Sequence, residues 1–213
     1  MKIPVKVKIC GMRRHEDLLY AKELGADYFG FIVYEKSPRY ISFDKLKPLL
    51  SNISLDNCVF VDVMPTADKI LQMQAFGCQN FQIHIHEETS LSECKSYAKL
   101  IKKDSLWLAP QLKNLDDFNE SLLEFSDNFL IDSYSKEQIG GTGKVGDWDG
   151  FKRLSQKHPS KRWILAGGLN PENIKDASNQ SGAEILDVNS GIEDTPGIKN
   201  REALKLLFHN LHS

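Results

Sequence analysis

The residues best placed to do chemistry are a cysteine and an aspartate that each end an apolar run. Cys10 closes the alternation Val5-Lys6-Val7-Lys8-Ile9, and Asp132 closes the run Asn128-Phe129-Leu130-Ile131. A thiol and a carboxyl facing each other across a cavity are a candidate pair of general base and general acid. The thiol, with an ordinary pKa of about 8.5, would have to lose its proton, and the carboxyl, at about 3.9, would have to hold one. Taken alone, Cys10 is more typical of a small buried hydrophobe, and Asp132 is equally typical of a strand-end cap.

Three glycine clusters provide the second chemical signal. They are Gly140-Gly141-Thr142-Gly143, Gly167-Gly168-Leu169-Asn170 and Asn189-Ser190-Gly191. Glycines let backbone N–H groups approach an anion closely, and a short helix begun at Ser190-Gly191 would add its N-terminal dipole. The alternative is three ordinary turns. Their common placement after late strands predicts a phosphate site.

Single side chains add to this set. Arg39 follows Pro38 in a loop, and its guanidinium suits bidentate capture of a carboxylate. His84 and His86 lie at a strand end, where a structural role competes with ligand binding. A zinc site needs three or four ligands and the chain has no Cys-x-x-Cys pair, so we predict no metal site.

Short apolar runs alternate with longer amphipathic ones along the whole chain. The predicted strands are Val5–Cys10, Tyr28–Val33, Cys58–Val63, Phe81–Ile85, Leu106–Gln111, Asn128–Asp132, Trp163–Ala166 and Glu184–Val188. The predicted helices are His15–Leu24, Phe43–Leu50, Ala67–Phe76, Leu91–Lys103, Asn114–Phe125, Trp148–Lys157, Asn170–Gln180 and Asn200–Leu211. Eight strand–helix units predict a single-domain (β/α)8 TIM barrel over residues 1–213, with short loops; a doubly wound open sheet is the alternative.

Composition excludes several classes of partner. The 213 residues carry a formal net charge of −2 with no basic stripe, so we expect no nucleic acid partner. No apolar run reaches membrane-spanning length, and no signal-peptide pattern precedes the first strand. Four scattered cysteines without a pairing pattern suit a reducing, cytoplasmic setting.

The ordered set of segments resembles the phosphoribosylanthranilate isomerase family. The match runs from the first strand to the last helix. The segments that carry it are Lys8-Ile9-Cys10-Gly11, Gly30-Phe31, Ser37-Pro38-Arg39-Tyr40, Phe60-Val61, Gln82-Ile83-His84, Asp132 with Gly140-Gly141-Thr142-Gly143, Leu165 through Asn173, Asp187 through Glu193, and Pro196-Gly197-Ile198-Lys199. Each segment alone is modest, whereas the ordered set is specific.

The resemblance implies an Amadori rearrangement in tryptophan biosynthesis, catalysed by a monomer or homodimer without a cofactor. The small-molecule substrate would be N-(5-phosphoribosyl)anthranilate, and the product 1-(2-carboxyphenylamino)-1-deoxyribulose 5-phosphate. By the family's mechanism, Asp132 would open the ribose ring as an acid and Cys10 would take the proton from sugar C2. Arg39 would hold the anthranilate carboxylate. The remaining substrate-binding residues would be His84, Gly141, Thr142, Gly143, Gly167, Gly168, Asn189, Ser190 and Gly191.

Two departures from the family pattern and two alternative functions remain at this point. Ile85-His86-Glu87 follows His84 where the family usually has Gly-Asp-Glu, and Asp62 replaces a usual asparagine. A related histidine-pathway isomerase would pair two aspartates, so Cys10 disfavours it. A catalytically silent binding barrel would lack the acid or the base, and both are present.

Overall fold

The computed structural model describes residues 4–51, 53–132 and 146–213. Eight parallel strands pair in chain order, and β8 pairs back onto β1 to close a barrel. The strands are β1 (Lys6–Ile9), β2 (Tyr28–Ile32), β3 (Cys58–Val63), β4 (Asn80–Ile85), β5 (Leu106–Pro110), β6 (Asn128–Asp132), β7 (Arg162–Ala166) and β8 (Ile185–Val188). The predicted barrel is confirmed, and the open-sheet alternative is wrong.

Helices join the strands, as right-handed crossovers between parallel strands require. The α-helices of the described residues are α1 (His15–Glu23), α2 (Phe43–Leu49), α3 (Ala67–Phe76), α4 (Leu91–Leu100), α5 (Trp148–Lys157), α6 (Ile174–Ser181) and α7 (Arg201–His212). Side-chain caps start several of them: Thr66 accepts from Lys69 N at 3.3 Å, and Asn200 accepts from Ala203 N at 2.8 Å. No helix of the described ranges is both long and apolar enough to cross a membrane.

The predicted helix Asn114–Phe125 is wrong. Two 3-10 segments, Leu115–Asp117 and Glu120–Glu124, lie there instead. Asn119 is extended between them, and its side chain accepts a hydrogen bond from Ser121 N at 3.0 Å. Such local side-chain bonds compete with helical ones, and here they restart the chain in mid-segment.

Two other helices differ from prediction at one end. Helix α4 stops at Leu100 because Ile101 becomes extended and buried. Helix α6 starts at Ile174, and the predicted cap Asn170 instead holds the preceding turn by accepting from Glu172 N and Asn173 N.

The strands are buried on both faces, and the two faces differ in composition. The outward face packs large side chains against the helices, among them Phe29, Phe31, Phe60, Phe81, Phe129 and Trp163. The inward face is built mostly from smaller apolar residues around one tryptophan: Cys10, Val59, Val61, Trp107, Ala109, Leu130, Ile164, Ala166 and Ile185. Successive side chains along each strand point to opposite faces, which separates these two sets. The smaller inward side chains leave room at the barrel mouth.

A two-stranded hairpin follows the last barrel strand. Ser190–Ile192 forms one 3-10 turn after β8, and the hairpin strands β9 (Glu193–Thr195) and β10 (Ile198–Lys199) come next. The predicted short helix at Ser190-Gly191 is therefore a single tight turn. The hairpin places Glu193 and Lys199 beside Asn189, which follows β8.

Candidate active site

A small cavity lies at the carboxyl ends of β1, β6, β7 and β8. Its volume is about 210 Å³, and Cys10 and Asp132 both line it. Gly167, Gly168, Asn189 and Ser190 complete the side formed by the late strands. The predicted base, the predicted acid and two of the predicted glycine clusters therefore share one cavity.

A larger cavity of about 650 Å³ lies beside it, over the ends of β2 to β6. Its walls are mainly apolar, and Asp62, His86 and Gln111 are among its polar groups. The residues that line both cavities are Ile32, Val61, His84, Leu130 and Asp132. The two spaces therefore meet at Asp132.

Cys10 sits against the backbone of the neighbouring strand. It is 3% exposed, and its sulfur would lie 2.7 Å from a Cβ placed on Gly30. The Lys8 Nζ atom would lie 3.0 Å from that same point. Any side chain at position 30 would therefore displace both groups, and glycine provides the space they occupy.

A buried ion pair lies next to Cys10. Lys8 Nζ is 2.8 Å from Asp187 Oδ1, and the two side chains are 0% and 8% exposed. Burial raises the pKa of the Cys10 thiol, while the Lys8 charge opposes that rise. Burial lowers the pKa of Lys8, but Asp187 and Cys10 outweigh it and the net direction is upward. Lys8 is therefore a charged ammonium.

The hairpin adds a second buried cation. Lys199, 1% exposed, bonds Glu193 Oε1 at 2.9 Å and Asn189 Oδ1 at 3.1 Å. Burial lowers the pKa of Lys199, and Glu193 opposes that change. Asn189, a predicted substrate-binding residue, is thus held from the hairpin side.

Arg39 belongs to the same network. Its Nε and Nη2 atoms donate to Glu193 at 2.9 and 2.6 Å, while Nη1 has no partner among the described residues. Arg39 is not among the described residues that line the two cavities. Its side chain lies over Gly11, beside Asn189. The carboxylate it contacts here belongs to the protein.

His84 lies between the cavities as a neutral ring. Gln82 Nε2 lies 2.8 Å from His84 Nε2, and a bond there requires that nitrogen to accept. Burial lowers the pKa of His84 to about 4, and the Lys8 charge acts in the same direction. Gln82 is 2% exposed, and its Oε1 has no hydrogen-bond partner among the described residues.

The described residues hold no group of three or more His, Cys, Asp or Glu side chains arranged for a metal ion. The groups that converge at the rim are instead a thiol, a carboxyl, two buried ammonium ions and the backbone of glycine-rich turns. Such a set suits acid–base chemistry on an anionic ligand.

Comparison with known proteins decides the family. The family model described as N-(5'phosphoribosyl)anthranilate (PRA) isomerase matches residues 7–210. The chain belongs to this isomerase family.

Individual relatives agree with the family match over nearly whole chains. An N-(5'-phosphoribosyl)anthranilate isomerase of Synechococcus elongatus is 32% identical over 213 residues, which is 97% of this chain and 96% of that protein. The solved structure of the Thermotoga maritima phosphoribosyl anthranilate isomerase is 31% identical, with a TM-score of 0.79 and 98% of each chain covered. A phosphoribosyl anthranilate isomerase in complex with reduced 1-(o-carboxyphenylamino)-1-deoxyribulose 5-phosphate is 29% identical, with a TM-score of 0.77 and the same coverage.

The predicted site residues divide into three groups within this family fold. The residues in the small cavity are Cys10, His84, Asp132, Gly167, Gly168, Asn189 and Ser190. Arg39 and Gly191 lie just outside it, and a Cβ on Gly191 would be 2.1 Å from the Leu169 carbonyl oxygen. The predicted positions Gly141, Thr142 and Gly143 lie outside the described residues.

Five polar or charged residues around the small cavity have no role predicted from the sequence: Lys8, Gln82, Asp187, Glu193 and Lys199. Lys8 could have been found from strand parity, because it lies two residues before Cys10 and so shares its face. Asp187 required the pairing of β1 with β8, which joins the two ends of the chain.

Asp62, which stands where the family usually has asparagine, turns back onto the local backbone. Asp62 is 4% exposed, and its Oδ1 accepts from the next backbone N–H, of Val63, at 2.7 Å. Burial raises the pKa of this carboxyl. Asp62 lines the large cavity and not the small one.

Proposed function

We propose that this protein converts N-(5'-phosphoribosyl)anthranilate into 1-(2-carboxyphenylamino)-1-deoxyribulose 5-phosphate, with Cys10 as base and Asp132 as acid. The observation that carries the proposal is the shared lining of the small cavity by Cys10, Asp132, Gly167, Gly168 and Ser190. One chain spanning residues 1–213 would form the catalytic domain, acting as a monomer or homodimer in the cytoplasm. The four free cysteines support a reducing compartment.

The substrate has an anionic end and an aromatic end, and the cavities offer a place for each. We assign the phosphate to the small cavity, where glycine-rich turns bring backbone N–H groups close to an anion. The large apolar cavity has room for the aromatic ring. The predicted contribution of Gly141, Thr142 and Gly143 to the phosphate site remains a prediction.

The first chemical step is ring opening. Asp132, at the junction of the cavities, gives its proton to the ribose ring oxygen as the C1–O bond breaks. The lone pair of the anthranilate nitrogen forms the C1=N bond of an iminium ion, and Asp132 is left as a carboxylate. The positive nitrogen then makes the C2 proton acidic, so no cofactor is needed as an electron sink.

The second step is proton removal from carbon. The Cys10 thiolate takes the C2 proton and becomes a thiol. The C–H electron pair forms a C1=C2 bond, and the C1=N electron pair returns to nitrogen. The resulting enolamine tautomerises to the ketone by gaining a proton at C1 and losing one from the C2 hydroxyl. The atoms of the substrate are conserved throughout.

Arg39 is proposed to hold the anthranilate carboxylate. Glu193 occupies its Nε and Nη2 edge, which fixes the plane of the guanidinium, while Nη1 is available to a second carboxylate. The planar guanidinium has five N–H donors, so one cation can contact both acids. This role requires the Arg39 side chain to move toward the cavities, because it lines neither of them here.

The test supplies purified protein with freshly made phosphoribosylanthranilate and follows the loss of anthranilate-type fluorescence. We expect turnover by the parent protein and a loss of about a hundred-fold or more in Cys10→Ala and in Asp132→Asn. Cys94→Ala removes another fully buried thiol, on α4, and should retain activity. Absence of turnover by the parent contradicts the activity, and full activity in either site variant contradicts the assigned roles.

A further inference from the structure

Lys8 is a buried charged residue that takes no part in the proton transfers proposed for Asp132 and Cys10. It is fully buried, whereas lysines are almost never so unless they are paired. We propose that Lys8 is a positioning residue for the reaction, and that its ammonium, held by Asp187, fixes the Cys10 sulfur and stabilises its thiolate form. This inference rests on the proposed role of Cys10 as the base.

The strand geometry puts the three groups together. Lys8 and Cys10 are two residues apart at the end of β1, so both side chains point into the barrel. The pairing of β1 with β8 sets Lys8 directly opposite Asp187. The resulting ion pair has a length of 2.8 Å. Closure of the barrel therefore forms the Lys8–Asp187 ion pair without help from a ligand.

The ammonium also lies close to the Cys10 sulfur. One point above Gly30 lies 2.7 Å from the Cys10 sulfur and 3.0 Å from Lys8 Nζ, so the two atoms face the same small space. Lys8 Nζ donates one hydrogen bond to Asp187 Oδ1, which holds the ammonium in this position. An ammonium has three donors, so the bond to Asp187 leaves Lys8 able to donate to a thiolate at Cys10.

Each charged group near Cys10 has its own effect on the pKa of the thiol. Burial alone would favour a neutral lysine and a neutral thiol. Asp187 keeps Lys8 protonated, and protonated Lys8 is the strongest group lowering the pKa of Cys10. Lys199 acts in the same direction, while Asp187 opposes it. Within the described ranges, the other titratable groups that face this space are His84 from β4 and Asp132 from β6.

The proton balance distinguishes this role from direct catalysis by lysine. Lys8 keeps its three protons throughout the cycle. Cys10 releases its thiol proton to solvent, accepts the C2 proton of the substrate as a thiolate, and releases that proton in turn. Lys8 acts by holding the Cys10 sulfur in place and by raising the fraction of Cys10 in the thiolate form.

The experiment measures that fraction directly. Iodoacetamide alkylation of Cys10 is followed against pH by peptide mass spectrometry in the parent protein, in Lys8→Met and in the matched control Lys161→Met. The control removes a lysine that pairs with Asp127 at 2.7 Å, at the opposite end of the barrel from Cys10. In Lys8→Met, alkylation at about pH 8 should slow about ten-fold, because the thiolate loses an adjacent opposite charge. The control should match the parent.

Turnover provides the second readout. In Lys8→Met, kcat at about pH 7 should fall about ten-fold with little change in KM, and the deficit should shrink as pH rises. A merely structural role for Lys8 would lower activity without moving the pH dependence of either measurement.

Lys8→Met leaves Asp187 buried without its partner and can fail to fold for that reason. The double variant Lys8→Met/Asp187→Leu removes both charges and avoids this problem. It should alkylate more slowly than the parent but faster than Lys8→Met, because the loss of Asp187 also removes a charge that raises the pKa of Cys10. An alkylation profile equal to that of Lys161→Met in either Lys8 variant overturns the proposal, whatever happens to turnover. Activity of Cys10→Ala would contradict the proposed function, while the alkylation result would still report on Lys8 and Cys10.

Discussion

The two cavities at the barrel rim differ in the groups that they offer to a ligand. The small cavity is surrounded by fixed charge, with Lys8, Asp187 and Lys199 buried beside glycine-rich turns. The large cavity has about three times the volume and mainly apolar walls, with polar groups near its edge. A preorganised polar site selects charge and geometry, whereas an apolar space selects size and shape. The proposed function puts the reaction where the two cavities meet, at Asp132.

The largest effect is expected from disturbing the small cavity. In Gly191→Ala, the new methyl group would lie 2.1 Å from the Leu169 carbonyl oxygen, so the turn carrying Ser190 must move. We expect KM and the inhibition constant of inorganic phosphate to rise together, by about a hundred-fold, because the phosphate loses charge-assisted hydrogen bonds.

Gly182→Ala is the control for this change. It also replaces a glycine, one with a positive φ of 65°, and its Cβ meets nothing within 4 Å. It should lower Tm by a few degrees without affecting phosphate inhibition. Unchanged phosphate inhibition in Gly191→Ala would place the phosphate elsewhere.

The complementary change fills the large cavity. Ala109 lines that cavity and not the small one, and it is 3% exposed. Ala109→Leu should lower kcat/KM by about fifty-fold, since one added methylene group in a pocket can change specificity by one to two orders of magnitude. Inhibition by inorganic phosphate should stay as in the parent. A loss of phosphate inhibition would mean that the two cavities are not separate binding regions.

His84, at the junction, makes the stability of the barrel depend on pH. Its pKa is about 4 in the folded protein, below the ordinary 6.5. The unfolded chain therefore binds an extra proton between those values, and stability falls as pH falls through that window, by about 2 kcal/mol at about pH 5. His84→Gln should flatten the dependence of unfolding free energy on pH, measured by denaturant titration. His86→Gln, at an exposed neighbour, should leave it unchanged.

The sequence predicted most of the scaffold because the signals involved are local. Alternating apolar runs placed β3 and β6 at their observed bounds, and the cap at Thr66 with Gly77 bounded α3. The helix prediction for residues 114–125 was wrong because their apolar spacing suits a helix, whereas the extended backbone at Asn119 interrupts the helical hydrogen bonds. The same local signals predicted that Cys10, Asp132 and two of the glycine clusters share one rim, because all of them lie at strand ends. Their roles in the reaction stay predictions.

The remaining features of the site depend on contacts between distant parts of the chain. Asp187 reaches Lys8 across 179 residues, and Glu193 reaches Arg39 across 154. Neither pair has a local pattern, because barrel closure and the hairpin create the proximity. The buried charge pairs were therefore harder to predict than the apolar strands, which follow from local alternation.

The smallest effect is expected at Asp62, the acidic departure within the large cavity. Burial raises the pKa of Asp62, so the folded state holds its proton more tightly than the unfolded chain, and stability declines as pH rises through the interval between the two values. Asp62→Asn removes that charge and retains an oxygen that can accept from Val63 N. We expect Tm to rise by about 2–4 °C at about pH 7, corresponding to about 1 kcal/mol, and the gain to vanish under acid conditions where the carboxyl is already neutral. Calorimetry at both pH values measures this, with Asp56→Asn, an exposed aspartate, as the control. A lower Tm for Asp62→Asn would mean that the Val63 bond and the nearby Lys69 stabilise the charged form more than burial penalises it, and that the large cavity also depends on a fixed charge.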